Sequence, residues 1–201
     1  MNKMSSKIFF FIILILSSTH AYSEDKLAID NLLAISAQDV VLGKQNAPNT
    51  VIEYISPSCF HCATFHLSVF PEIKKTYIDT GSVKWVTRIY VNDAPSLNIA
   101  MLAKCDSNKK FYPLLNLYLS NQSAWTTGNK PLNIIENIFL LAGNSKSSFN
   151  ECTNNKIIEN EIIDTRKNAA NILKLLGTPA FYINGKQSNI ANALQFKSLL
   201  K

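Results

Sequence analysis

Thr50-Val51-Ile52-Glu53-Tyr54-Ile55-Ser56-Pro57-Ser58-Cys59-Phe60-His61-Cys62 is the stretch that decides the fold. Its first half is a nearly continuous apolar run with β-branched residues, the pattern of a buried central strand. Its second half ends in two thiols separated by two residues. The apolar run from Ala63 to Tyr77 that follows has a helical pattern. Cys59 thus falls at a helix N-terminus, where its sulfur faces unpaired backbone N–H groups and the positive end of the helix dipole. Both favour thiolate over thiol. With Cys62 one turn further on, a thiolate at position 59 can attack a disulfide, hold the mixed disulfide, and be released by its neighbour.

Upstream of this stretch, residues 1–21 read as a cleavable signal peptide. Lys3 and Lys7 form a positive n-region, Ile8 to Leu16 an apolar h-region, and Thr19-His20-Ala21 ends in a small residue. The apolar run is too short for a bilayer, which needs roughly 20 residues; the alternative is an uncleaved N-terminal anchor. No Cys stands near the cleavage site to suggest a lipoprotein, and no second membrane segment follows Ala21. Export to the periplasm places all four cysteines in an oxidising compartment, where an even count suits two disulfides. The chain has 201 residues, 47 % hydrophobic and 17 % charged, which argues against disorder and fits one domain, or one with an insertion. Loss of two lysines with the signal segment takes the net charge from +6 to +4. The positive charges form no run, so a nucleic-acid partner is not expected.

Residues 22–37 read as an N-terminal extension, with Ala28, Leu32, Leu33 and Ile35 able to line a short helix. Val40-Val41-Leu42-Gly43 predicts a short strand, and Val83 to Val91 a second long one. Pro71 predicts a kink in the helix after Cys62, with continuation to Asp79. From 96 to 176 the pattern turns helical: Leu97–Cys105, Phe111–Leu119, Pro131–Leu141, Ser147–Cys152, and a long helix Lys156–Leu176 capped by Gly177. Strand signals return at Ala180–Ile183, with Asn184-Gly185 as a hairpin turn, a short strand over Lys186–Ile190, and a last helix Ala191–Leu200. This order predicts an α/β unit in two parts, 38–95 and 177–201, interrupted by an inserted all-helical domain over 96–176.

The run Glu53 to Cys62, taken with Gly177-Thr178-Pro179-Ala180-Phe181-Tyr182-Ile183-Asn184-Gly185, resembles the DsbA-like thiol–disulfide oxidoreductases, exported proteins with a thioredoxin fold interrupted by a helical domain. The resemblance covers nearly all of the chain after the signal segment. Well-known members carry Pro-His between the cysteines where this chain has Phe-His, a pair that tunes redox poise. The resemblance implies that Cys59 attacks and Cys62 resolves, the two forming a redox-active disulfide. It implies an acid beneath the active site at Glu53, where burial raises a carboxyl pKa and lets it carry protons for the buried thiol. It implies a cis bond at Thr178-Pro179 that presents the Thr178 backbone to an extended substrate. Cys105 and Cys152 resemble the second cysteine pair of a family subset. A structural bridge between them would close a loop of about 48 residues, worth roughly 4 kcal/mol in the chain-entropy model; free thiols or a second redox pair are the alternatives.

Among the remaining candidates, a protonated His61 would stabilise a neighbouring thiolate. Phe60 is read either as core packing or as an apolar lip for unfolded substrates, and His66 as a helix-surface or packing residue. A zinc site needs about four ligands. Cys105, Cys152 and His66 are the residues that might be recruited, and no second Cys-x-x-Cys exists. The expectation is an exported, monomeric oxidoreductase that introduces disulfides into newly exported proteins through Cys59–Cys62. It needs no metal or organic cofactor and is reoxidised by a quinone-linked membrane oxidase. The alternatives are an isomerase or reductase of the same fold, or a non-enzymatic, chaperone-like peptide-binding domain.

Overall fold

Two long apolar strands, β2 (Asn49–Ile55) and β3 (Val83–Ile89), lie side by side and parallel, and the rest of the sheet is laid against them. The computed structural model describes residues 25–105 and 108–200. The expected signal peptide, residues 1–21, lies outside them. Residues 25–32, within the expected N-terminal extension, form helix α1. Strands β1 (Val40–Leu42), β4 (Ala180–Ile183) and β5 (Lys186–Ser188) complete a five-stranded sheet in the order β1-β3-β2-β4-β5, with these three joined antiparallel. A parallel pair needs a long crossover. Helices α2 (Phe60–Ser68) and α3 (Phe70–Ile73) and a π-helical turn (Lys74–Ile78) supply it. Between β3 and β4 come α4 (Ala94–Cys105), α5 (Asn108–Ser120), α6 (Gln122–Thr127), α7 (Pro131–Leu141), α8 (Lys146–Thr153) and α9 (Lys156–Asn171); α10 (Ala193–Ser198) ends the described chain.

The core has two parts. One face of the sheet, with Val51, Ile55, Trp85 and Phe181, packs on Phe65 and Phe70 from the crossover and on Phe196 from α10. The helical set has a core of its own, built on Ile99 and Leu102 of α4, Tyr118 of α5, Trp125 of α6, Phe139 of α7 and Phe149 of α8. Burial of this apolar surface at about 25 cal/mol per Å² is the main force holding each part together. A thioredoxin fold carrying a helical insertion is the architecture.

Beyond shifts of one to three residues at helix ends, the helices differ from the sequence expectation in three places. The helix after Cys62 breaks at Val69 rather than bending at Pro71. Proline has no N–H for the carbonyl four residues back, so the chain restarts with Pro71 in the first turn of α3, where that N–H is not needed. Helix α9 ends at Asn171, not at Leu176. The left-handed residue that turns the chain is Lys174 (φ 52°), not Gly177, and the Leu175 N–H turns back to the Ala169 carbonyl at 3.2 Å. Leu175 is buried by this turn, and Leu176 stands fully exposed. Helix α6 was not foreseen, because its short polar sequence has no apolar periodicity. The hairpin matches its signal: Asn184 and Gly185 both have positive φ (50° and 81°), as the tight turn requires. Asn184 also accepts from the Thr50 N–H at 3.0 Å, tying the hairpin to the start of β2.

Candidate active site

Cys59 is the N-cap of α2. Its backbone is extended (φ −80°, ψ 117°), and its sulfur accepts the Cys62 N–H at 3.3 Å, taking up one of the donors that a helix start leaves unpaired. Cys62, one turn in, is fully buried, whereas Cys59 is half-buried. Both are free thiols, the reduced form of the pair. The two sulfurs have opposite acidities. The hydrogen bond from the Cys62 side chain lowers the Cys59 pKa to about 5. Burial opposes this, and the Thr178 side chain and the backbone N–H groups of Cys62 and His61 add to it. Burial pushes the Cys62 thiol far up, and the Cys59 side chain adds to that rise. An acidic, accessible sulfur beside a protonated, shielded one is the arrangement that sequential disulfide exchange requires.

Other expected residues gather around this pair. The Thr178–Pro179 peptide bond is cis, and it brings the Thr178 carbonyl oxygen to 3.0 Å from the Cys59 sulfur. A groove of about 340 Å³ runs beside this loop, lined by Leu175, Leu176, Thr178, Pro179, Phe181 and Gln187. Phe60 is 71 % exposed, so it does not pack in the core. The exposed His61 ring stands edge-on to Phe60, 5.8 Å between centroids. Glu53 is fully buried on β2, its Cα opposite Thr87 on one side and Phe181 on the other. Its carboxylate accepts from Trp85 Nε1 at 3.1 Å and Thr87 Oγ1 at 3.3 Å, and its two oxygens lie 2.9 and 3.0 Å from His66 Nε2.

Two further residues join the site. Of the two positions expected for His66, helix surface or packing, the packed one is found: it is buried against Glu53. Its spacing of four from Cys62 was the available signal, because both then share one helix face. Gln122 of α6 donates through Nε2 to the carbonyls of Pro57 and Cys59, at 2.7 and 3.1 Å. Nothing in its neighbourhood in the chain marks it. Away from the site, Cys105 and Cys152 are bonded to each other, joining the end of α4 to α8 beside the helical core.

Fold and site together define a dithiol protein of the thioredoxin class, with its redox pair at a helix start and a cis-proline facing it. A family model described as thioredoxin matches residues 36–201. The crystal structure of Wolbachia pipientis alpha-DsbA1 superposes with a TM-score of 0.77 at 30 % identity, over 84 % of this chain and 91 % of that one. A Rickettsia conorii protein named as a protein-disulfide oxidoreductase is 36 % identical over 80 % of this chain and 58 % of its own length. A disulfide bond formation protein D of Bacillus anthracis is 29 % identical over 96 % of this chain and 91 % of its own. The chain belongs to the thioredoxin family, among its DsbA-like thiol–disulfide oxidoreductases. It spans somewhat under three fifths of the length of the rickettsial relatives.

Proposed function

We propose that this protein, exported to the periplasm, introduces disulfide bonds into newly exported proteins. The observation that carries the proposal is the unequal pair: Cys59 acidic and accessible, Cys62 buried with its thiol held protonated. A thiolate stabilised at Cys59 stabilises the reduced form, which makes the Cys59–Cys62 disulfide a ready oxidant. A substrate thiolate attacks Cys59 and displaces Cys62. A second substrate thiol then attacks the mixed disulfide, leaving the substrate oxidised and the protein as a dithiol. The Thr178 backbone and the groove beside Pro179 hold an extended peptide, with Phe60 as an apolar contact at the rim; the groove at Thr178–Pro179 and the exposed Phe60 ring support this. Glu53 serves the proton balance of Cys62, a protonated His61 supports the Cys59 thiolate, and the Cys105–Cys152 bond is structural. A quinone-linked membrane oxidase restores the disulfide.

Equilibration with glutathione tests the direction of transfer. A potential at the oxidising end of the thiol–disulfide scale supports disulfide donation, and one near thioredoxin's, about −270 mV, points to a reductant instead.

A further inference from the structure

Four residues after Cys62 on the same helix stands a buried imidazole with one nitrogen engaged and the other without a protein partner. His66 follows Cys62 by one turn on the buried face of α2, and its side chain is shut off from solvent. Residues four apart on a helix have Cβ atoms about 5–6 Å apart, and helical side chains lean toward the preceding turn. His66 Nε2 is bound to the Glu53 carboxylate at 2.9 and 3.0 Å, while the buried Nδ1 makes no hydrogen bond. The titratable group bound to the ring is Glu53 from β2; Tyr112 from α5 is linked to it through Thr87 (2.7 Å between hydroxyls), and Cys62 is the buried titratable group one turn earlier on α2. Strand β3 adds Trp85 and Thr87, both bound to Glu53, while α3 contributes Phe70 and β4 Phe181 across from Glu53; none of these four is charged.

An imidazole fixed by a carboxylate at one nitrogen can give or take a proton at the other. Cys62 needs such a group. Its sulfur leaves as a thiolate when the disulfide is broken, in a place where burial strongly disfavours that charge.

We propose that His66, oriented by Glu53, carries the proton that Cys62 gains and loses in each cycle; this rests on the exchange reaction proposed above. A substrate thiolate forms an S–S bond to Cys59, the Cys59–Cys62 bond breaks, and its electron pair leaves on Cys62. His66 Nδ1–H passes its proton to that sulfur. The neutral ring goes on donating through Nε2 to Glu53. The transfer cancels two opposite charges, the Cys62 thiolate and the His66 imidazolium, and leaves the net buried charge at one negative. That charge rests on a carboxylate with three donors, His66 Nε2, Trp85 Nε1 and Thr87 Oγ1. On reoxidation the Cys62 thiol returns its proton to Nδ1 as its sulfur attacks the mixed disulfide at Cys59, and the partner leaves as a thiolate.

Stopped-flow oxidation of the reduced protein by excess oxidised glutathione, followed by tryptophan fluorescence, separates the two sulfurs. The phase proportional to glutathione reports attack by Cys59, and the plateau rate at high glutathione reports expulsion of glutathione by Cys62. His66→Gln keeps a donor for Glu53 but cannot carry a proton. It should leave the first phase within about twofold and lower the plateau tenfold or more, the scale of a lost general acid–base group. It should also erase a pH inflection and a solvent deuterium isotope effect on the wild-type plateau. An H66Q plateau and pH profile equal to wild type overturn the proposal. Should H66Q fail to fold, the wild type decides: an inflection with an isotope effect supports the proposal, and a flat profile without one overturns it. A wild-type protein lacking the first phase would sink the exchange reaction itself, a separate failure that takes this inference with it.

Discussion

The Cys59 sulfur and the Thr178 carbonyl oxygen lie 3.0 Å apart although 119 positions separate them in the chain. The contact joins the helix start after β2 to the loop before β4, so the two halves of the α/β unit meet at the reacting atom. A carbonyl can accept only from the protonated thiol, and ionisation of Cys59 gives that bond up. The Cys62 side chain, the Thr178 side chain and the backbone N–H groups of Cys62 and His61 more than offset the loss.

Alkylation of the reduced protein by iodoacetamide should therefore titrate with a midpoint at about pH 5, at one sulfur. Cys62 should stay unlabelled through neutral pH. The sign follows for redox stability. The Cys59 pKa is depressed in the folded state, so its contribution to the reduced form is complete above the free-thiol value and fades as pH falls through about 5. Urea unfolding of reduced and oxidised protein should show the reduced form losing its advantage over that window. A midpoint near that of free cysteine, about 8.5, would remove the driving force for disulfide donation.

Asp39, just before β1, and Arg88 on β3 form a shielded bidentate ion pair at 2.8 Å in both contacts, each side chain under a tenth exposed. Arg88 also donates to the Tyr54 hydroxyl at 3.1 Å. Burial pushes the Asp39 carboxyl up, but the Arg88 guanidinium and the Ser36 N–H outweigh it and hold it below its ordinary value. Asp39→Asn takes the carboxylate from a buried guanidinium and should cost about 3–5 kcal/mol in urea unfolding. Because the folded pKa is lowered, the wild-type contribution is present above pH 4 and lost below it, so the variant should lack that acid limb.

The sheet and the redox pair were legible because their signals are local. Two apolar β-branched runs mark β2 and β3, Asn184-Gly185 fixes a turn by backbone chemistry, and the spacing of Cys59 and Cys62 puts one sulfur at the helix start and the other inside it. Glu53 stood out as an acid in an apolar strand. Its ligands did not, because His66, Trp85 and Thr87 come from two other elements and meet only when the sheet is covered. The end of α9 was misread for a related reason. Leu175 and Leu176 look alike in the chain, and only tertiary packing decides which is buried and where the helix stops.

The Cys105–Cys152 bond lies beside the helical core rather than in the core under the sheet. Replacing both with Ala should lower unfolding free energy by up to about 4 kcal/mol on the chain-entropy model. The alkylation midpoint of Cys59 should not move. A change in that midpoint would mean that the helical set and the redox pair are coupled through more than stability.

Gln122 is a side chain of the helical set that hydrogen-bonds to the Cys59 backbone. Its amide, buried and on α6, donates to the carbonyls of Pro57 and Cys59, the segment that sets the direction of the Cys59 sulfur. Gln122→Leu keeps the bulk but withdraws the donor from both carbonyls, at a cost of about 1–3 kcal/mol for buried groups left unsatisfied. It adds no charge, so the Cys59 midpoint should stay near its wild-type value while thermal stability falls. Gln122→Glu sets a carboxylate against the same two carbonyl oxygens and close to a sulfur that reacts as an anion. Repulsion should raise the Cys59 midpoint and slow alkylation at neutral pH. If Q122L shifts the midpoint as far as Q122E does, the amide acts by shaping the loop rather than by its charge distribution, and the electrostatic account of this contact fails.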